Sequence, residues 1–310
     1  MRDLRSSRKR NFLSSSDNPQ FEPQAGVRAE PPVSGTLAPD QLGSPPVNAV
    51  RIPTALAPIE NPVWNGWDLM VIVAVTFAAM VAFQVGLTEL AMWFWYPHQA
   101  WIDVAQKPIL LIVSQFLIYA VVAACMVMLI EGKYHVPFWR TIQWNWPRSA
   151  WMYLGFGAVT LIALGLLQNL LPMPKDTPFE HLFDRPRDAY LLAIIAVSFA
   201  PLLEELFFRG FLYPVVARRW GAAWGVFLAA LPFALLHMQQ YGYAWGVVLV
   251  IFVVGLICGV VRVVTRSVGA SFLVHVGYNG IQMIAALVYT HGFRHMEKAV
   301  VVIPFSVLFK

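Results

Sequence analysis

The chain has 310 residues, of which 58% are hydrophobic and only 13% are charged. Soluble domains carry roughly 25% charged residues, so this composition excludes an ordinary soluble enzyme. The net charge of +5 does not indicate nucleic-acid binding, because the basic residues cluster in the tails and in the loops between apolar runs. We therefore expect the lipid bilayer, and no nucleic acid, as a partner.

The first 65 residues differ in composition from the rest of the chain. They contain ten of the 22 prolines, a basic start and a serine-rich patch. No apolar run follows the basic start, which argues against a secretory signal peptide. Such a segment buries too little apolar surface to offset the entropy lost on ordering. We predict a disordered Pro/Ser-rich basic tail over 1–65 and a transmembrane bundle over 66–310.

Apolar runs of about 20 residues recur after this tail, and each is long enough to cross a bilayer as a helix. The predicted fold is therefore all-α, a multi-pass transmembrane helical bundle with seven spans. The stretch Ala299–Phe309 is too short to span in the usual way, and we expect a partial eighth helix or an interfacial segment there. The seven predicted spans are 67–95, 108–130, 150–171, 188–212, 222–238, 244–263 and 268–290.

The distribution of lysine and arginine predicts the orientation of these spans. Basic residues are more frequent in the loops after the second, fourth and sixth spans than in the loops on the opposite side, where acidic residues accompany them. The positive-inside rule counts only lysine and arginine. We therefore predict a multi-pass protein of the cell membrane with a cytoplasmic N-terminus.

Two adjacent carboxylates, Glu204 and Glu205, lie inside the fourth predicted span. A carboxylate costs about 2.5–3.5 kcal/mol there even on insertion scales, so the pair needs an explanation. Arg209 follows Glu205 by four positions, which places both on one helix face and lets them pair. Glu204 lies about 100° around the helix from Glu205 and is left available for chemistry. An ion pair that merely locks two helices explains Glu205 and Arg209, but not Glu204.

Two histidines also lie inside predicted spans, His237 in the fifth and His275 in the seventh, and Asn279 follows His275 by one helical turn. A glutamate and a histidine can together deprotonate a water, and a histidine with an asparagine amide can donate to an oxyanion. Glu204, His237 and His275 are also a usual catalytic zinc set, with water as the fourth ligand. These residues alone leave the metal-free and the zinc mechanism open.

Three patterns occur in order, each on its own predicted span: Glu204-Glu205-x-x-x-Arg209, Phe233-x-x-x-His237 and His275-x-x-x-Asn279. Together they resemble the motifs of the CPBP family of membrane proteins. This family comprises the type II CAAX prenyl proteases and the Abi proteins that process bacteriocins or confer immunity to them. The similarity covers about residues 188–290, which is the predicted protease core.

The resemblance implies an intramembrane endopeptidase of the CAAX-protease type, acting on a membrane-associated protein or peptide. By motif position, Glu204 and His237 would activate the water. His275 and Asn279 would form the oxyanion site. The pair Glu205–Arg209 would support the site.

The family has been described both as metalloproteases and as glutamic proteases. We favour the glutamate mechanism and expect no cofactor. Zinc held by Glu204, His237 and His275 is the alternative.

Two other functions remain as alternatives. One is a non-catalytic membrane protein of the bacteriocin-immunity type, which would bind a peptide or partner in the same cavity. The other is a proton-coupled transporter, which also uses buried glutamate and histidine residues. The spans show no internal repeat and no pair of broken helices at matching positions, which disfavours a transporter.

Helix lengths raise one difficulty for the proposed site. On ideal straight helices, Glu204 and His237 would lie at different depths in the membrane. A bend or tilt at Pro201 and Pro232, or a water-filled cavity open to one side, would remove this difficulty.

Overall fold

The computed structural model describes residues 60–174, 177–183 and 185–295, and these residues form helices and connections without any strand. The all-α prediction is therefore confirmed. All described residues belong to one contact unit. Most of the predicted tail and the stretch 299–309 lie outside the described residues.

The helices follow one another along the chain with short connections. In chain order the α-helices are α1 (Gly66–Phe94), α2 (Trp101–Ala105), α3 (Pro108–Val127), α4 (Phe138–Thr141), α5 (Ala150–Gln168), α6 (Pro186–Val197), α7 (Phe199–Glu205), α8 (Tyr213–Leu236), α9 (Trp245–Thr265) and α10 (Val268–Tyr289). The π-helical segments Met128–Lys133 and Leu206–Leu212 continue α3 and α7, and a 3-10 segment, Glu180–Phe183, precedes α6.

Six helical runs in the described part are long and apolar enough to cross a membrane, where seven spans were predicted. The difference arises because Pro186–Leu236 is one helical run of 51 residues. At 1.5 Å per residue this run would be about 76 Å long, more than twice the thickness of a hydrocarbon core. It contains the predicted span 188–212 and all but the last two residues of the predicted span 222–238. Gly221 separates them, with a φ of 84° that breaks the helix and suits glycine.

A second break precedes the two carboxylates. Helix α6 ends at Val197 and α7 begins at Phe199, with Ser198 between them at φ −117° and ψ −69°. Pro201 has no N–H for the carbonyl of Val197, four residues earlier, which explains why the helix is interrupted there. The helix carrying Glu204 is therefore not straight, and the difficulty over depth, which assumed ideal helices, loses its basis.

The chain before α1 packs onto the bundle, and we call residues 60–65 the N-terminal strap. Trp64 is 1% exposed, stacks on Phe211 with 4.7 Å between ring centroids, and donates its indole N–H to the Phe211 carbonyl at 2.9 Å. The carboxylate of Glu60 accepts a hydrogen bond from the buried guanidinium of Arg262 at 3.1 Å. The packed structure thus begins before the predicted boundary at residue 66, because the strap buries a large aromatic side chain.

Helices α5 and α10 cross with their backbones in contact. A methyl group added at Gly157 of α5 would lie 2.1 Å from the carbonyl oxygen of Val274, and one added at Gly277 of α10 would lie 2.2 Å from that of Leu154. Small residues of this kind let membrane helices approach closely. The crossing fixes the height and rotation of α10, which carries the third motif.

Candidate active site

The two glutamates lie at the end of α7, where the α-helix passes into the π-helical segment. Glu205 is fully buried, and its Oε1 accepts a hydrogen bond from Nη1 of Arg209 at 2.9 Å. Nη2 of Arg209 donates to the carbonyl of Gly255 in α9 at 2.8 Å. The predicted pairing is confirmed, and with Gly255 it gives a partner to both terminal nitrogens of a guanidinium that is only 1% exposed, whereas Nε has no hydrogen-bond partner among the described residues.

Glu205 also contacts two side chains of α10. The hydroxyl of Ser271 lies 2.6 Å from Oε2 of Glu205 and 2.9 Å from the carbonyl of Cys258 in α9. A hydroxyl has one proton, so Ser271 donates to one of these two oxygens at a time. Nδ1 of His275 lies 3.0 Å from Oε1 of Glu205. This buried carboxylate therefore holds α7, α9 and α10 together.

His275 stands between the two glutamates. Its Nδ1 faces Glu205, and its Nε2 lies 3.7 Å from Oε2 of Glu204. An ionised carboxylate only accepts hydrogen bonds, so Nδ1 carries a proton. The separation of 3.7 Å is too long for a direct hydrogen bond. The ring thus presents Nε2 toward Glu204 while Glu205 fixes its orientation.

His237 caps the end of α8 and is oriented by its own motif. Its Nδ1 lies 2.8 Å from the carbonyl oxygen of Phe233, which can only accept, so Nδ1 is the donor. A neutral His237 therefore has its lone pair on Nε2. The ring of Phe233 lies 5.0 Å from that of His237 and 5.8 Å from that of His275, between centroids. Phe233 also lies under the Arg209 guanidinium at 4.8 Å.

Asn279 connects α10 to α6. Its Nδ2 donates to the carbonyl of Ala196 at 2.8 Å, close to the break at Ser198. This contact fixes the orientation of the side-chain amide. A side-chain amide nitrogen carries two N–H donors, and the one to Ala196 uses one of them.

A cavity of about 300 Å³ joins these groups. At about 30 Å³ per molecule it has room for roughly ten waters. Glu205 and Arg209 lie behind its wall, in the buried layer. Four of the six predicted site residues line the cavity: Glu204, His237, His275 and Asn279.

Three further polar residues of the lining come from the first three long helices and were not predicted from the sequence as site residues: Gln115 and Tyr119 of α3 and Gln168 of α5. Tyr119 of α3 places its hydroxyl 3.5 Å from Oε1 of Glu204. Gln168 is the last residue of α5 and is 4% exposed. Ser271, behind the wall, was missed in the same way. A single polar residue in an apolar run gives no sequence signal of which partner it meets.

The structure does not bring together the three side chains that the zinc mechanism requires, those of Glu204, His237 and His275. No group of three His, Cys, Asp or Glu side chains lies close enough to hold a metal ion in the part of the chain that the structure describes. The orientation of the two histidines does suit ligands, since each directs Nδ1 to a fixed acceptor, as metal-bound histidines do. The donor chemistry fits zinc, whereas the spacing does not.

Residues 186–281 match the family model of the type II CAAX prenyl endopeptidases, described as Rce1-like. They form an Rce1-like protease domain. This domain contains all six predicted site residues, is consistent with the CPBP family, and ends before the predicted limit at residue 290. Comparisons with the curated proteins and with the solved structures found no match.

The six apolar helical runs support a multi-pass membrane protein, and residues 186–281 are similar to a CAAX-protease-like endopeptidase family. Tyr119 and Gln168 precede the domain, so the cavity extends beyond the part of the chain that the family model covers.

Proposed function

We propose that the chain hydrolyses a peptide bond of a membrane-associated protein or peptide, using a water activated by Glu204. The observation that carries the proposal is the shared cavity, in which one carboxylate, two oriented histidines and an asparagine amide surround space for water. All four groups belong to the Rce1-like domain. Hydrolysis inside a bilayer requires such an enclosed, water-accessible site.

Activation of the water falls to Glu204 and His237. Among the described residues, no lysine or arginine pairs with Glu204 as Arg209 pairs with Glu205. His237 directs its donor nitrogen to Phe233, which leaves the lone pair of Nε2 to orient a water. Glu204 takes a proton from this water as the oxygen attacks the carbonyl carbon of the substrate.

His275 and Asn279 act on the oxyanion of the tetrahedral intermediate. As an imidazolium, His275 keeps its Nδ1–H on Glu205 and donates from Nε2. Asn279 offers the second N–H of an amide already fixed by Ala196. When the carbon–nitrogen bond breaks, the proton held by Glu204 passes to the leaving amine. One water is consumed and Glu204 returns to its carboxylate form.

Glu205 and Tyr119 are positioning residues in this scheme. Glu205 holds His275 from behind the cavity wall and is itself held by Arg209. The Tyr119 hydroxyl faces one oxygen of Glu204, while His275 faces the other. The carboxylate is thereby oriented from both sides.

Replacing Glu204 by glutamine tests the proposal, because it keeps the shape of the side chain and removes the base. We expect Glu204→Gln to lower kcat by about 10²- to 10⁴-fold without changing the thermal unfolding of the detergent-solubilised protein. The matched control is Glu89→Gln on α1, where the carboxylate accepts only a surface indole N–H from Trp101. Full peptidase activity in the Glu204 variant would refute the proposal, and a peptide-resistance phenotype surviving there would favour the immunity-type function.

Chelation separates the glutamate mechanism from the zinc alternative. We expect activity on a prenylated CAAX peptide to survive exhaustive chelation, with no metal found by elemental analysis. Loss of activity on chelation and recovery with zinc would instead assign Glu204, His237 and His275 as ligands.

The proposed location is the cell membrane with a cytoplasmic N-terminus. Support comes from arginines that lie on the same side as the start of α1 if each predicted span crosses the membrane: Arg140 in α4, Arg218 and Arg219 near the start of α8, and Arg148 and Arg266 in connections. The test inserts a reporter protein in the connection between α1 and α2. A reporter that works only outside the cytoplasm should then be active, and one that works only in the cytoplasm should be inactive. The opposite result would show that the N-terminus is extracytoplasmic.

A further inference from the structure

Gln168 has a feature that the proposed chemistry does not explain. Its side chain is 4% exposed and lines the cavity, yet its Oε1 has no hydrogen-bond partner among the described residues. Buried polar atoms in folded proteins are almost always paired, and each exception needs an explanation. The unpaired atom here is an acceptor, so the missing partner is a donor.

Packing does not require an amide at this position. Leu164, one turn earlier on α5, packs in an apolar cluster with Val250, Val254 and Tyr278, and the last three share the cavity wall with Gln168. Methionine has nearly the same length as glutamine and would fill the space without leaving an unpaired oxygen. The amide therefore adds a polar function to a wall that would be stable without it.

We propose that Oε1 of Gln168 accepts a hydrogen bond from a backbone N–H of the bound substrate peptide. This inference rests on the proposed function, which brings a peptide into the cavity. A peptide in a membrane-embedded cavity needs partners for its backbone N–H groups, because lipid offers none. Val250 and Val254 on the same cavity wall can contact the side chains of the substrate but cannot accept these hydrogen bonds.

The position of Gln168 gives this contact a distinct role. The residue lies on α5, before the Rce1-like domain, whereas the four groups assigned to hydrolysis lie within it. Oε1 of Gln168 forms no hydrogen bond to any other group of the site in the described part of the chain. It therefore binds substrate and does not act on the reacting bond, so its removal should raise KM and leave kcat unchanged.

N-methylation of the substrate backbone tests the contact directly. The probe is an N-acetylated, S-farnesylated Cys-Val-Ile-Ala tetrapeptide, together with one N-methyl derivative for each backbone amide. Binding is measured to the Glu204→Gln variant, in which hydrolysis does not interfere. We expect one derivative to bind about tenfold more weakly than the parent, because it lacks the N–H that meets Gln168.

The same series on double variants identifies the residue responsible. When Gln168→Met is added, the loss of affinity caused by that N-methyl group should fall to less than about twofold. Gln168→Glu keeps an acceptor, so with this substitution the loss of affinity should remain. Gln240→Met is the matched control, since Gln240 lines the same cavity and should leave the loss of affinity intact. An unchanged loss of affinity in Gln168→Met would overturn the inference, as would equal binding of all derivatives.

Cleavage of the parent peptide by the unmutated protein distinguishes this inference from the proposed function. If the peptide is not cleaved but the loss of affinity depends on Gln168, the proposed function fails and the substrate contact stands. If no peptide of the series binds, the contact with a substrate amide is refuted and Oε1 meets water only.

Discussion

The crossing of α5 and α10 makes Gly277 a position where one added methyl group should cause a large loss of activity. That methyl would lie 2.2 Å from the carbonyl oxygen of Leu154 and 2.9 Å from its Cα, where ordinary contact begins at 3.4 Å. The helices must therefore separate by about 1.2 Å, the difference between 3.4 and 2.2 Å. His275 and Asn279 lie two residues to either side and move with α10. A misplacement of this size costs about 100-fold in rate.

The assay compares kcat/KM for Gly277→Ala and Gly280→Ala on the farnesylated tetrapeptide. A methyl at Gly280, on the same helix, would meet Cγ1 of Val197 at 3.6 Å, which is an ordinary contact. Alanine is the better helix former by about 1 kcal/mol, so Gly280→Ala should be at least as stable as the unmutated protein. Activities of the two variants within threefold of each other would refute the reasoning. Thermal unfolding in detergent shows whether a loss comes from displacement or from unfolding.

Three further predictions concern single contacts. Tyr119→Phe should lower kcat about tenfold with KM unchanged, because the phenol no longer orients the reactive carboxylate, whereas Tyr153→Phe on α5 should change neither constant. Glu205→Gln should lower the free energy of unfolding by about 3–5 kcal/mol, measured by denaturation in detergent, because its arginine partner stays buried without a counter-charge. Glu60→Gln should lower it by about 2 kcal/mol in the same measurement, because Arg262 loses a charge-assisted hydrogen bond.

Each of these predictions has an outcome that would contradict it. Equal kinetic losses in both tyrosine variants would mean that Tyr119 acts through packing alone. A Glu205 variant as stable as the unmutated protein would show that Arg209 finds another partner. An unchanged midpoint of denaturation for the Glu60 variant would show that the contact between the strap and Arg262 adds nothing to stability.

The contacts between site residues four apart in sequence could be predicted, because helix geometry fixes them. Glu205 and Arg209 pair as the spacing requires, even though the helix passes into a π-helical segment between them. The same reasoning left Glu204 unpaired, and the structure places it on the cavity wall. The three motifs then located the remaining groups, each on a separate helix.

The residues on α3 and α5 could not be predicted from the sequence. Both helices carry apolar residues on every side, so the distribution of polar residues does not indicate which helix face packs against the rest of the bundle. The position of Gln168 depends on how α5 rotates against α10, which the crossing at Gly157 and Gly277 decides, whereas that of Tyr119 depends on the packing of α3. The position of the helix break was also predicted inexactly: we expected a bend at Pro201, and the break lies at Ser198. A proline leaves the carbonyl four residues before it without its usual N–H partner, so its effect lies earlier in the chain.

The N-terminal strap has a consequence for the order of assembly during synthesis. Its partners lie far along the chain, Phe211 at a separation of 147 residues from Trp64 and Arg262 at 202 residues from Glu60. At about 5–20 residues per second, the ribosome needs roughly 10–40 s to cover the longer interval. The strap is thus made long before either partner. A nascent chain that stalls before α9 already contains Phe211 but lacks Arg262, so Trp64 can dock while the Glu60 carboxylate still lacks its arginine.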